Sequence, residues 1–320
     1  MRRIDRKFGL KRFMLLGVAL GFAALSVSAD SSNRRMSADD PCLTRFGFPQ
    51  AKRSAGTIQD RERGRRFYPA SHAGARMIGE SDRDHYFHAA ILFRDLDELP
   101  SVDDRKVTFI SIVLPMILRV NEGILSQRRL VETVVACRDR GQLPGPALQT
   151  RIQGFHDRYG TDGDLDALLR RMDVVPPSLA IAQAAIESGW GTSRFVVLGN
   201  ALFGQRTTNP ARGMRPADLS DTTPVRVAAF DHLVASVNSY VHNLNTHPAY
   251  RTFRDRRTAF RRSGGEPDGL ALAATLAAYS ARGQAYVRDL QSIIRANRLA
   301  AFDTPAPAAM PGGRMSGSDT

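Results

Sequence analysis

"PPSLAIAQAAIESGWG", Pro176–Gly191, decides how this chain reads. Two prolines open it, and proline is tolerated in a first helical turn, where its missing N–H would have no intrahelical partner. Leu179, Ala182 and Ile186 recur at helical spacing as a stripe for a core. Ala180, Ala184 and Glu187 fall on another face, with Gln183 one turn before Glu187. Gly189 stops the helix, since glycine readily takes the left-handed cap conformation. Glu187 therefore stands in the last turn, where the helix dipole disfavours negative charge. Trp190, the only tryptophan, and Phe195 add desolvation. Both effects raise a carboxyl pKa, and an acid kept protonated near neutrality can pass its proton to a leaving group. The plainer reading is a solvated glutamate beside a core tryptophan.

Working outward, the residues after this helix change character. Gly204 to Phe230 is rich in Gly, Pro, Thr and Asp and ends in "PVRVAAF", which alternates like a strand. It reads as an extended excursion, or a small hairpin, between two helical halves. Helical patterns resume in "FDHLVASVNSYVHNLNTH", "PAYRTFRDRRTAFRR", "DGLALAATLAAYS" and "GQAYVRDLQSIIRANRL". Upstream, "SVDDRKVTFISIVLPMILRVNEGIL" has Ser101 as an N-cap, and Pro115 is expected to kink the helix or split it. "LSQRRLVETVVACRDRG" continues it to Gly141. Asp162 or Asp164 caps a short helix that ends in Arg170 and Arg171, charges that suit the dipole at both ends.

The chain of 320 residues is 42% hydrophobic and 24% charged, an ordinary globular composition. Residues 1–29 read as a signal peptide: a basic start, an apolar run from Phe13 to Leu25, and Val27-Ser28-Ala29 as a cleavage site. The run is short of the roughly 20 residues a spanning helix needs; an uncleaved signal anchor, the only membrane contact expected, is the alternative. Residues 30–100 are a polar, Arg-rich linker or arm, and 301–320 a disordered tail. The formal charge is +13; six cations and Asp5 lie in the first 29 residues, which leaves +8 on the remainder. A basic exported protein suits an anionic partner outside the cytoplasm. No zinc-finger spacing or aromatic RNA-binding motif supports nucleic acid. Export permits Cys42 and Cys137 to pair, but a polar tail and a helix are poor starting places, and the letters weigh against it. His85 and His88, one turn apart, read as surface. No metal and no cofactor are expected.

"PPSLAIAQAAIESGWGTSRF" followed by "GNALFGQ" resembles the peptidoglycan glucosaminidases, glycoside hydrolase family 73, and within them the Bax-like branch. "FDHLVASVNSYVHNLNTHPAYRTFR", "YSARGQAYVRDLQSIIRANRL" and "VTFISIVLPMILRVNEGIL" are similar to segments of that branch, so the likeness runs from about Ser101 to Leu299. It implies a mainly α (α+β), lysozyme-like fold over 101–300, with the β excursion beside a glycan cleft. It implies an exported, periplasmic enzyme that hydrolyses the β-1,4 bond after N-acetylglucosamine in peptidoglycan glycan strands. Glu187 matches the general acid, which protonates the departing oxygen as an oxocarbenium-like state develops. The second acid of the family falls on Asp221, with Asp218 in reserve. The chain departs from the branch here, for aspartate is shorter than glutamate, and the Trp and Cys that many relatives carry after Phe-Gly-Gln are missing. Tyr279 matches a tyrosine that lines the reaction centre. Gln183, Trp190, Asn200, Phe203, Gly204, Gln205, Tyr240 and Tyr250 are expected at the sugar site. The rivals are a lytic transglycosylase on the same fold and a catalytically silent wall-binding module.

Overall fold

The computed structural model describes residues 40, 42, 93, 95–216 and 223–304. Helix α1 (Val102–Arg138) starts where Ser101 Oγ accepts from the Asp104 N–H at 3.0 Å, with Asp103 and Asp104 in the first turn. Of the kink or split expected at Pro115, the split does not occur, and the helix runs 37 residues through it. Pro115 and Ser111 are both exposed. Water can meet the carbonyl that lost its donor, while Phe109, Ile112, Val113, Ile117 and Val120 keep an unbroken buried face. By length and composition α1 could cross a membrane. In the fold it lies against two helices of the core, α4 (Pro177–Ser188) and α6 (Leu233–Thr246).

Two shorter helices lead to α4. Helix α2 (Pro146–Tyr159) is followed by α3 (Leu165–Arg171). Asp164, one of the two expected caps, accepts from the N–H groups of Asp166 and Ala167, and Arg170 and Arg171 close α3. Helix α4 is the central element. It packs on α1, on α8 (Gly269–Ala273), on α9 (Gln284–Ala296) and on the 3₁₀ turn Leu299–Phe302. Every residue from Pro177 to Ala185 is buried. The single stripe expected is corrected to a helix buried on every side over that stretch, because its alanines let neighbours approach from all round.

A short helix α5 (Arg194–Gly199) leads into a sheet of β1 (Arg206–Thr207), β2 (Gly213–Met214) and β3 (Arg226–Ala228). The strands run antiparallel in the order β1-β3-β2, with Arg206 opposite Val227 and Gly213 opposite Ala228. The sheet is tied back to α5: the Phe230 N–H donates to Gly199 O, and Asn200 Nδ2 to Phe230 O, both at 2.9 Å. Helices α6 and α7 (Arg251–Arg262) complete the domain. The architecture is thus mainly α with one small antiparallel sheet.

The core reaches past both expected domain boundaries. Cys42 and Cys137 form a disulfide, Cα–Cα 5.4 Å, and both are fully buried. The leaning against pairing is corrected. The Asp40 carboxylate accepts from the N–H groups of Gly145 and Cys42, each at 2.9 Å, and so holds the strand of chain beside the end of α1. A loop of 95 residues closed this way is worth up to about 4–5 kcal/mol in chain entropy. Phe93 and Leu96, assigned to the arm, are buried beside Gly191. Asp303, assigned to the tail, accepts from Ser178 N at 2.8 Å, Ser178 Oγ at 2.6 Å and Gly269 N at 3.0 Å. It therefore caps the first turns of α4 and α8 from a distance. The signal segment 1–29, His85, His88 and residues 305–320 lie outside the described residues.

Asp173, between α3 and α4, is 2% exposed and faces three arginines. Arg261 Nη2 lies 3.1 Å from its Oδ1, and Arg257 Nε and Arg128 Nη1 each lie 3.8 Å from Oδ2. The fully buried Arg257 also donates to the carbonyls of Asp173, Val174, Arg170 and Arg171. Burial pushes the Asp173 carboxyl up, but the cations together outweigh it and hold its pKa below the ordinary value.

Candidate active site

Glu187 owes its position to the way α4 ends. Gly189 is left-handed (φ 60°, ψ 44°), and the Trp190 N–H reaches back to Ala185 O at 2.9 Å. This closure turns the chain sharply after the acid. Trp190 is itself left-handed, φ 58°. Its ring meets the Phe109 ring edge-on at 5.5 Å and has Lys106 Nζ 5.9 Å from its centroid. Trp190 thus serves the packing of α4 on α1. Phe195 lies under the guanidinium of Arg194, 4.6 Å from its centroid. The aromatic groups whose electrostatics register Glu187 are instead Tyr240, Tyr250, Tyr279 and Tyr286.

Glu187 is half-buried. Oε1 accepts from the Tyr286 hydroxyl at 3.0 Å. Oε2 lies on the side of Gly204, where a Cβ would stand 3.3 Å from it. Gly204 has φ +59°, a conformation that suits glycine, and its bare Cα leaves that oxygen uncrowded. Burial raises the Glu187 pKa to about 7, against the pull of the Tyr286 hydrogen bond and of the Arg206 and Arg282 charges. The leading cause is loss of water around the carboxylate, which costs the charged form more than the neutral one. At neutral pH the side chain therefore sits near half protonation.

The expected residues fall into three groups. Tyr279 and Tyr250 border the acid. The Tyr279 ring stacks parallel to Tyr286, centroids 5.6 Å apart, and its hydroxyl donates to Phe203 O at 3.3 Å. Tyr250 tilts against Tyr279 at 5.9 Å. Gln183, Phe203 and Tyr240 stand behind the acid, buried to 1% exposure or less, which corrects the expectation that they touch glycan. Phe203 stacks on Tyr240 at 3.8 Å. Asn200 and Gln205 serve the scaffold: Asn200 holds the sheet to α5, and Gln205 Nε2 donates to Ser239 Oγ on α6 at 2.8 Å. Asp218 and Asp221, in the connection between β2 and β3, lie outside the described residues.

Three residues near the acid carry no signal in the letters. Tyr286 reads as ordinary core on the amphipathic α9. Arg206 and Arg282 read as two more arginines in an arginine-rich chain, and Arg282 pairs with Asp289. Among the described residues no cluster of three His, Cys, Asp or Glu side chains forms a metal ligand set. The assembly is a carboxyl of raised pKa, with one oxygen bonded to Tyr286 and the other toward Gly204, within reach of the Arg206 and Arg282 charges. It can donate a proton to a basic oxygen that approaches from the Gly204 side.

Comparisons with known proteins bear on the same residues. The family model described as "Glucosaminidase: Mannosyl-glycoprotein endo-beta-N-acetylglucosaminidase" matches residues 164–299. The chain is 32% identical over 211 residues to Protein bax of Escherichia coli (strain K12), covering 64% of this chain and 74% of that protein. Among solved structures it is similar to the catalytic domain of the autolysin Auto from Listeria monocytogenes, at 17% identity and a TM-score of 0.36. That match covers 71% of this chain and all of that domain.

Proposed function

The chain belongs to the glucosaminidase family, in its Bax-like branch, and on that premise we propose that it hydrolyses peptidoglycan. The bond is the β-1,4 linkage after N-acetylglucosamine, and Glu187 is the general acid. One observation carries the reading: the Glu187 carboxyl, with pKa about 7, accepts from Tyr286 through one oxygen and turns the other toward Gly204. A glycosidic oxygen is too weak a base to leave unaided, and a protonated Glu187 supplies the proton as the C–O bond lengthens. Water then takes the anomeric carbon, and the released proton returns to solvent or to the carboxylate. Asp221 is the proposed second acid, with Asp218 as the alternative. Tyr279, stacked beside the acid, is proposed to hold the substrate N-acetyl group or the water. The buried disulfide supports an oxidising, extracytoplasmic location, since such bonds rarely persist in the cytosol.

The test is digestion of purified peptidoglycan by the purified protein, with fragments weighed by mass spectrometry. Fragments that have gained water and end in reducing N-acetylglucosamine are expected. Anhydro-sugar ends would replace the proposal with the transglycosylase reaction, and binding without cleavage would replace it with a wall-binding module. Glu187→Gln should lose about 10²–10⁴-fold in turnover. Full turnover in that variant would remove Glu187 from the reaction.

A further inference from the structure

We infer that Tyr286, directed by Gln183 and Tyr240, is a positioning residue that decides which oxygen of Glu187 carries the proton. This rests on Glu187 being the acid and adds how that acid is aimed.

Three hydrogen bonds make a chain with a direction. The Tyr240 hydroxyl donates to Gln183 Oε1 at 2.7 Å. Gln183 Nε2 donates to the Tyr286 oxygen at 3.0 Å. Tyr286 donates to Glu187 Oε1 at 3.0 Å. A phenol has one proton to give. With the amide oxygen of Gln183 taken by Tyr240, its nitrogen faces Tyr286, and the Tyr286 proton is left for Glu187. Oε1 is then occupied as an acceptor, and the proton of the neutral carboxyl belongs on Oε2, beside Gly204. The opposite amide orientation would spend the Tyr286 proton on Gln183. Glu187 would then turn its own proton inward, away from the open side.

The surroundings hold this polarity. Gln183 and Tyr240 are 0% exposed and Tyr286 is 1% exposed, so no water competes for the chain. The Tyr286 ring is clamped by the parallel Tyr279 ring, interplanar angle 3°, and the Tyr240 ring by Phe203, interplanar angle 4°. The three members come from α4, α6 and α9, so the packing of these helices sets the aim of the acid.

Tyr286→Phe, Gln183→Met and the double variant test it, through pH–rate profiles on peptidoglycan. For Tyr286→Phe, kcat should fall about 10- to 100-fold with KM unchanged, the scale of a misaimed catalytic group. Its basic limb should move up by roughly half a unit to one unit, because one hydrogen bond to the carboxylate is gone. Gln183→Met should act in the same direction, and the double variant should be no worse than Tyr286→Phe, since Gln183 acts through Tyr286. Wild-type kcat and limb in Tyr286→Phe, or multiplying losses with an unmoved limb, would overturn the inference. A carbon-13 titration of the Glu187 carboxyl reads the same step without substrate: its midpoint should rise in Tyr286→Phe, and an unmoved midpoint also overturns it. If Glu187 is not the acid, Glu187→Gln stays active, an outcome separate from all of these.

Discussion

Asp173 and Glu187 flank the same stretch of chain, one just before α4 and one in its last turn; Asp173 is buried and Glu187 half-buried. Their surroundings differ. Asp173 meets Arg128, Arg257 and Arg261, and its pKa falls below the ordinary value. Glu187 accepts from Tyr286 and acts electrostatically on Tyr240, Tyr250 and Tyr279, with Arg206 and Arg282 as weaker influences on it than burial, and its pKa rises to about 7. Burial alone pushes both carboxyls the same way. The partners decide the outcome: cations keep a charge that holds α3, α7 and α1 together, while phenols leave a proton that can be spent. An acid in a protein interior is a strut or a reagent according to what it faces.

The contrast can be broken at several points. The largest stability effect is expected from Asp173→Ala, which leaves Arg257 buried and unpaired. A loss of about 3–5 kcal/mol should appear in denaturant unfolding, with turnover per folded molecule retained. The contribution of Asp173 is present above the ordinary carboxyl pKa and is lost as pH falls through its lower folded value. A variant as stable as wild type would mean that the cluster is not a strut.

Glu187→Gln should show the opposite sign. An unfolded glutamate loses its proton near the ordinary 4.5, whereas the folded one holds it to about 7, so wild type loses stability as pH rises across that window. The variant should gain up to about 3 kcal/mol over wild type at pH 8 and little at pH 4. Equal melting shifts at both pH values would show that the carboxyl is not held neutral by the fold. In wild type, kcat should fall above about pH 7 by roughly tenfold per unit, as the acid form is depleted. A flat profile to pH 9 would contradict the role of Glu187. The smallest effect is expected from Gly204→Ala. The left-handed backbone costs about 1–2 kcal/mol with a side chain, and the new methyl stands 3.3 Å from Oε2. Activity should drop by more than that stability loss explains, and unchanged turnover would mean that substrate does not approach from this side.

Much of this was legible locally. Ser101 and Asp164 cap the helices that the letters assign to them, and Gly189 ends α4. A cap, a dipole charge and a left-handed glycine act within a few residues, so sequence order exposes them. At Pro115 the letters left a kink or a split open, because the cost of proline depends on whether the freed carbonyl reaches water, and that depends on which face the core takes. Trp190 misled because the ring next to the acid in the chain turns to α1 in space.

By itself the sequence determined that a glutamate stands in the last turn of an apolar helix, that a β excursion follows it, and to which family the motif is similar. Only the tertiary structure decided that Tyr286, Gln183 and Tyr240 line up behind that glutamate, that Cys42 meets Cys137, and that Asp173 draws three arginines. These partners lie far apart in the chain. Their meeting is fixed by how whole helices pack and how much water that packing removes, and no short window of residues encodes either quantity.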